Sequence, residues 1–197
     1  MQKFFLPFFC LLSAVLLLAV VPTEAEGAIY EDTIRLHVLA NSDTDADQAA
    51  KYEIRDRLLA TYGKRLMAID RASAEEEALE LLPEMTDSVN RWLSECSLPY
   101  SATATLCEEW YDTREYEDFV MPSGRYTSLR VILGEGDGKN WWCVMYPPLC
   151  LDMATESAEA DDAILGYTDE EIRLITKGGY KVKFKLLELF SSLEKNR

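Results

Sequence analysis

Near residue 98 the spacing of apolar side chains changes. Before that point Ile54, Leu58, Tyr62 and Leu66 recur at four-residue steps, and Leu79, Leu82, Val89 and Leu93 continue a helical rhythm. After it Tyr100, Ala102, Ala104 and Leu106 alternate with Ser101, Thr103, Thr105 and Cys107. Four-step recurrence lines one stripe of a helix, whereas alternation lines one face of a strand. Helices followed by strands, without a repeating strand-helix unit, point to an α+β domain. The expectation is a mixed or mainly antiparallel sheet of about four to five strands with amphipathic helices packed on it.

The elements follow from local chemistry. Ile34 to Ala40 is a strand, with Ile34, Leu36 and Val38 on one face and Arg35 and His37 on the other. Asn41-Ser42-Asp43 stops it, and Asp45 with Gln48 matches a capping box for a helix over about 46–67. Ser73 with Glu76 opens a second helical stretch to about Ser94, which Pro83 should kink or divide. Strands are expected at 115–121, 126–133 and 141–146, the first two joined by Pro122-Ser123-Gly124. Gly134, Gly136 and Gly138 read as a hairpin loop; no helix follows and no Lys-Ser/Thr end is present, so a phosphate loop is not indicated. Thr168 with Glu171 begins a final helical segment.

Both ends of the chain carry their own signals. Phe4 to Val21 is free of charge and Pro22 ends it, the pattern of a signal peptide or amino-terminal anchor over 1–25. The core domain spans 29–152, an acidic loop 153–167, and a helical segment 168–197. Asp and Glu number 35 against 20 Lys and Arg, for a net charge of -15. Such a surface repels a phosphate backbone, so no nucleic-acid partner is expected. Six of the cations lie after residue 176, and Lys177, Lys181, Lys183 and Lys185 could touch a membrane surface or neutralise the protein's own acids.

No cofactor is implied and no metal site. Asp43, Asp45 and Asp47 have the spacing that begins a calcium loop, but positions six and twelve hold Gln48 and Ile54 instead of glycine and glutamate. The chain has one histidine, so any Ser-His or Cys-His pair must use His37. No catalytic set emerges, and the expectation is that the protein is not an enzyme. A secreted cell-wall hydrolase with paired carboxylates is the alternative. Among the cysteines, Cys143 and Cys150 flank Pro147-Pro148 and are a candidate disulfide; Cys96 with Cys107 is another, and reduced thiols throughout are the third option.

Two stretches carry a resemblance. Ile34 to Asp43, followed by Asp47-Gln48 and the Lys51 to Asp56 helix, is similar to the amino-terminal motif of the stage II sporulation protein R family. Pro122-x-Gly124-x-Tyr126, then Gly136-Asp137-Gly138 and Asn140-Trp141-Trp142-Cys143-Val144-x-x-Pro147-Pro148-Leu149-Cys150, resembles that family's most distinctive segment. The resemblance implies an exported signal, made in the forespore and sent into the space between forespore and mother cell. There it promotes a membrane-embedded aspartic protease of the mother cell that processes the sigma E precursor. Candidate partner-binding residues are Asn41, Ser42, Asp43, Trp141, Trp142, Pro147 and Pro148, since large aromatics are common interface anchors. Trp141 and Trp142 must point to opposite faces of their strand.

Overall fold

The computed structural model describes residues 24–66, 70–116, 119–149 and 166–176, with positions 7, 10 and 12–14. In chain order the elements are α1 (Glu24–Glu31), β1 (Ile34–Leu39), α2 (Asp45–Leu66), α3 (Arg71–Glu95), β2 (Ala102–Tyr111), β3 (Arg114–Glu115), β4 (Val120–Met121), β5 (Gly124–Leu133), β6 (Asn140–Tyr146) and α4 (Asp169–Ile175). Among these residues no helix is long and apolar enough to cross a membrane; most of Phe4 to Val21 lies outside them, as do the acidic stretch before Gly166 and everything after Thr176.

Four strands form one sheet in the order β2-β5-β1-β6. β1 runs parallel to β5, with Leu36 opposite Leu129 and Val38 opposite Val131. It runs antiparallel to β6, with His37 opposite Trp142 and Val38 opposite Trp141. The sheet is therefore mixed and the domain α+β.

The long helices start earlier than the capping pattern indicates, α2 by one residue and α3 by three. Thr44 caps α2, its Oγ1 accepting from the Asp47 N–H at 3.3 Å and its carbonyl from the Gln48 N–H at 3.0 Å. Asp70 caps α3 by accepting from the Ser73 N–H at 2.8 Å. Asp45 and Ser73 thus lie inside the first turn, where Asp45 and Asp47 suit the helix dipole. Pro83 does not divide α3, which runs unbroken over 25 residues. The proline is exposed, so the carbonyl left without its usual donor, that of Leu79, lies on the wet side of the helix.

The chain divides into two compact units. In the larger, Tyr30–Glu109 with Arg125–Thr168, α2 and α3 cover one face of the sheet. Ile34, Leu36 and Val38 of β1 and Leu129, Val131 and Leu133 of β5 meet Ile54, Leu58 and Tyr62 of α2 and Leu81, Met85 and Val89 of α3. The opposite face is not the solvated face that alternation suggests. Arg35 and Ser128 are fully buried there and His37 nearly so.

The smaller unit includes Trp110–Gly124 and α4. Here the expected strand over 115–121 is replaced by a short hairpin of β3 and β4. The Tyr116 N–H donates to the Phe119 carbonyl at 2.8 Å, turning the chain where a strand would have continued. The rings of Tyr116 and Phe119 stack at 4.4 Å, and Phe119 bridges to Thr176.

Candidate functional site

The glycine loop between β5 and β6 is not a hairpin. β1 lies between those strands, so the connection must cross over the carboxyl end of β1, where Asn41, Ser42 and Asp43 leave the sheet. Glycine makes the crossing possible by removing side-chain bulk. Gly134 has φ +57°, and a Cβ there would lie 2.1 Å from the Asn41 Oδ1; one on Gly138 would lie 2.3 Å from the Ser42 carbonyl oxygen.

Hydrogen bonds lock the crossing. The Asp137 and Gly138 N–H groups donate to the carbonyls of Asn41 and Ala40 at 3.2 and 2.9 Å. The Glu135 N–H donates to the Asn41 Oδ1 at 3.0 Å, and the Lys139 N–H to the Asp43 Oδ1 at 2.7 Å. Lys51, itself buried, reaches from α2 to the Lys139 carbonyl at 3.0 Å and to the Gln48 Oε1 at 2.7 Å. Burial lowers the Lys51 pKa from the usual lysine range.

Asp47 is the centre of this interlock. Its Oδ2 accepts from the Ser42 Oγ at 2.5 Å and the Asn41 Nδ2 at 2.8 Å, and its Oδ1 accepts from the Tyr100 hydroxyl at 2.7 Å. The bond from Ser42, then that from Tyr100 and those from Asn41 and Thr44, hold the carboxyl below its ordinary range against the opposing effect of burial. Burial, and then the bond to Asp47, push the Tyr100 hydroxyl up. The sequence reading places Asp47 in an acidic turn but misses both its burial and Tyr100, which lies 53 positions away.

The two tryptophans separate as alternation requires. Trp141 packs against the helix-covered core, with the Arg55 guanidinium 5.0 Å from its ring centroid and 4.9 Å from that of Tyr52. Trp142 lies on the other face and stacks on His37 at 5.4 Å. His37 Nδ1 donates to the Glu109 Oε2 at 3.0 Å, and the Arg130 Nε lies 3.2 Å from the Glu109 Oε1. Burial would raise the Glu109 carboxyl, but the hydrogen bonds from His37 and Ser128 and the charge of Arg130 outweigh it, and the net shift is downward. The lone histidine is thus one partner in a cluster on the polar face.

Pro147 is buried and Pro148 half-buried. Cys96 and Cys107 are free thiols, so they do not pair with one another. Cys143 is disulfide-bonded, while Cys150 lies outside the described residues, as do Lys177, Lys181, Lys183 and Lys185. Among the described residues no cluster of metal-ligating side chains is present, the Asp43, Asp45 and Asp47 run included.

The interlock therefore joins Ile34 to Asp43 with Gly136 to Trp142, the two stretches on which the family resemblance rests. A family model for stage II sporulation protein R matches residues 30–156. The chain belongs to the stage II sporulation protein R family. It is 32% identical over 187 residues to the stage II sporulation protein R of Bacillus subtilis (strain 168), with 84% of this chain and 83% of that protein covered. No solved structure matches. Within the family frame, the interlock and β1 both fall inside the matched span, whereas α4 falls beyond its carboxyl end.

Proposed function

We propose that this sporulation protein is an exported signal, passed from the forespore into the space between forespore and mother cell. There it promotes the membrane-embedded aspartic protease that processes the sigma E precursor. The family match over residues 30–156 carries this reading. The interlock gives it a physical counterpart, because it fixes the Asn41 to Asp43 turn with exposed Asp43, Glu135 and Asp137 held on a rigid base.

The mechanism is protein recognition without chemistry on the signal itself. A ligand favours the active form of a protease only by binding it more tightly than the inactive form, about 1.4 kcal/mol for each tenfold shift. Asp43 with the neighbouring turn, and the wet side of Pro148, are the proposed contacts. Pairing of Cys143 with Cys150 belongs to the same proposal. It would close a short loop around Pro147-Pro148, worth roughly 2 to 3 kcal/mol on the loop-entropy account. A non-reducing peptide map should show that crosslink with free thiols at Cys96 and Cys107.

The decisive experiment co-produces this protein with the protease and the sigma precursor in a non-sporulating host. Precursor cleavage should require an exported form of this chain. Processing that is unchanged by its presence rejects the proposal.

A further inference from the structure

We propose that the carboxyl half of β2 is a docking edge for an extended, basic segment of a partner protein, laid between that strand and α3. β2 is an outer strand of the sheet. Backbone groups of alternate residues in a strand point to opposite sides, so one set of β2 faces β5 and the other faces outward. The outward set is identified by its partners. The Asn90 side chain closes on Ala102 from both sides, donating to its carbonyl at 3.1 Å and accepting from its N–H at 2.7 Å. The Thr86 Oγ1 accepts from the Ala104 N–H at 3.2 Å. α3 thus seals the first half of the edge with side chains, a known protection against unwanted pairing.

The seal stops there. Leu106 and Glu108 are the next outward residues, and among the described residues their backbone groups have no outward hydrogen-bond partner. Asn90 beside Ala102 and Thr86 beside Ala104 show that α3 and β2 run in opposite directions. Four helical residues advance about 6 Å and two strand residues about 6.6 Å. The same register therefore brings Leu82 alongside Leu106, and one turn further Leu79 alongside Glu108. Leu79 is 50% exposed, and Leu82 and Leu106 are half-buried. An added strand would bond its backbone to β2 and rest every second side chain on this apolar shelf.

Charge selects the occupant. Glu76, Glu80, Asp87 and Glu108 are exposed around the shelf, and none has an ion-pair partner among the described residues. They favour Lys or Arg in the incoming segment. They oppose a second copy of this chain, because pairing β2 with β2 would bring like carboxylates together on a protein of net charge -15. This inference does not depend on the signalling proposal.

The test uses this chain and an acetylated, amidated peptide of alternating valine and threonine flanked by lysines. Saturable binding should be weakened at least about tenfold by N-methylation of the alternate residues that face β2, and little by N-methylation of the other set. Hydrogen exchange should show the Leu106 and Glu108 amides gaining protection on peptide addition. Glu108→Pro removes an outward donor without touching the β5 ladder and should abolish binding. Leu79→Lys, at an exposed helix position that spares the fold, should weaken it at least about tenfold. No saturable binding below about 1 mM overturns the proposal. Equal loss from both N-methylated sets, or a dimer whose Leu106 and Glu108 amides are protected without peptide, overturns it as well.

Discussion

The helix-covered interior and the interlock at the end of β1 are held by different physics. In the interior, Leu36, Ile54, Leu58, Met85 and Leu129 pack with nothing but shape to match. At the interlock, Asp47 sits among donors from Ser42, Asn41 and Tyr100, and each donor needs that acceptor. Burial energy depends on volume and tolerates changes of shape at constant volume. A buried carboxylate does not tolerate even an isostere, because an amide presents a donor where the surroundings supply only donors.

That contrast can be broken by substitution. The largest effect should come from Leu36→Ala, which empties space between β1 and both helices and should cost about 2 to 5 kcal/mol in chemical denaturation. Gly138→Ala should come next, losing about 1 to 3 kcal/mol because its Cβ meets the Ser42 backbone, which cannot move aside as a side chain would. Asp47→Asn, although isosteric, should cost more than Leu36→Met, for which less than about 1.5 kcal/mol is expected. If the isosteric change at Asp47 were the milder of the two, the distinction between the regions would fail.

A pH titration sharpens the same point. The folded pKa of Asp47 is depressed, so its contribution is present above the unfolded value, about 3.9, and is lost as pH falls through the lower folded value. The gap in thermal midpoint between the native chain and Asp47→Asn should therefore be full at neutral pH and narrow below about pH 4. Leu36→Ala should show no such narrowing. The smallest effect should be that of Tyr100→Phe, which removes one of several donors to Asp47 and should cost about 1 kcal/mol.

What the sequence made legible follows the same division. α2 and α3, β1, β2, β5 and β6, and the opposite orientations of Trp141 and Trp142 all come from periodicity, which is a local signal of burial. The interlock was only half legible. Asn41, Ser42, Asp43 and Gly134 to Gly138 stand out as turn residues, but their meeting depends on β1 lying between β5 and β6, and strand order leaves no periodic trace. Reading the glycines as a hairpin loop assumed that sequential strands are neighbours, which is only the commoner case. The polar face was missed because alternation reports a difference between faces, not which of them is wet. Arg35 and His37 are placed on the face opposite the aliphatic residues, but alternation does not show that both are buried there. The residues of 115–121 suit a single strand; the turn between Tyr116 and Phe119 that divides them is a backbone contact that composition does not announce.

The placement of β1 also has a consequence in time. Both of its neighbours are encoded much later in the chain, the partners in β5 93 positions on and those in β6 101 to 112 positions on. A chain that emerges amino end first carries Ile34 to Leu39 unpaired until β5 is complete at Leu133, and with one edge still open until Tyr146. Non-local pairing of this kind slows folding. Truncation anywhere before Asn140 should leave a product that cannot close its sheet, however well α2 and α3 form.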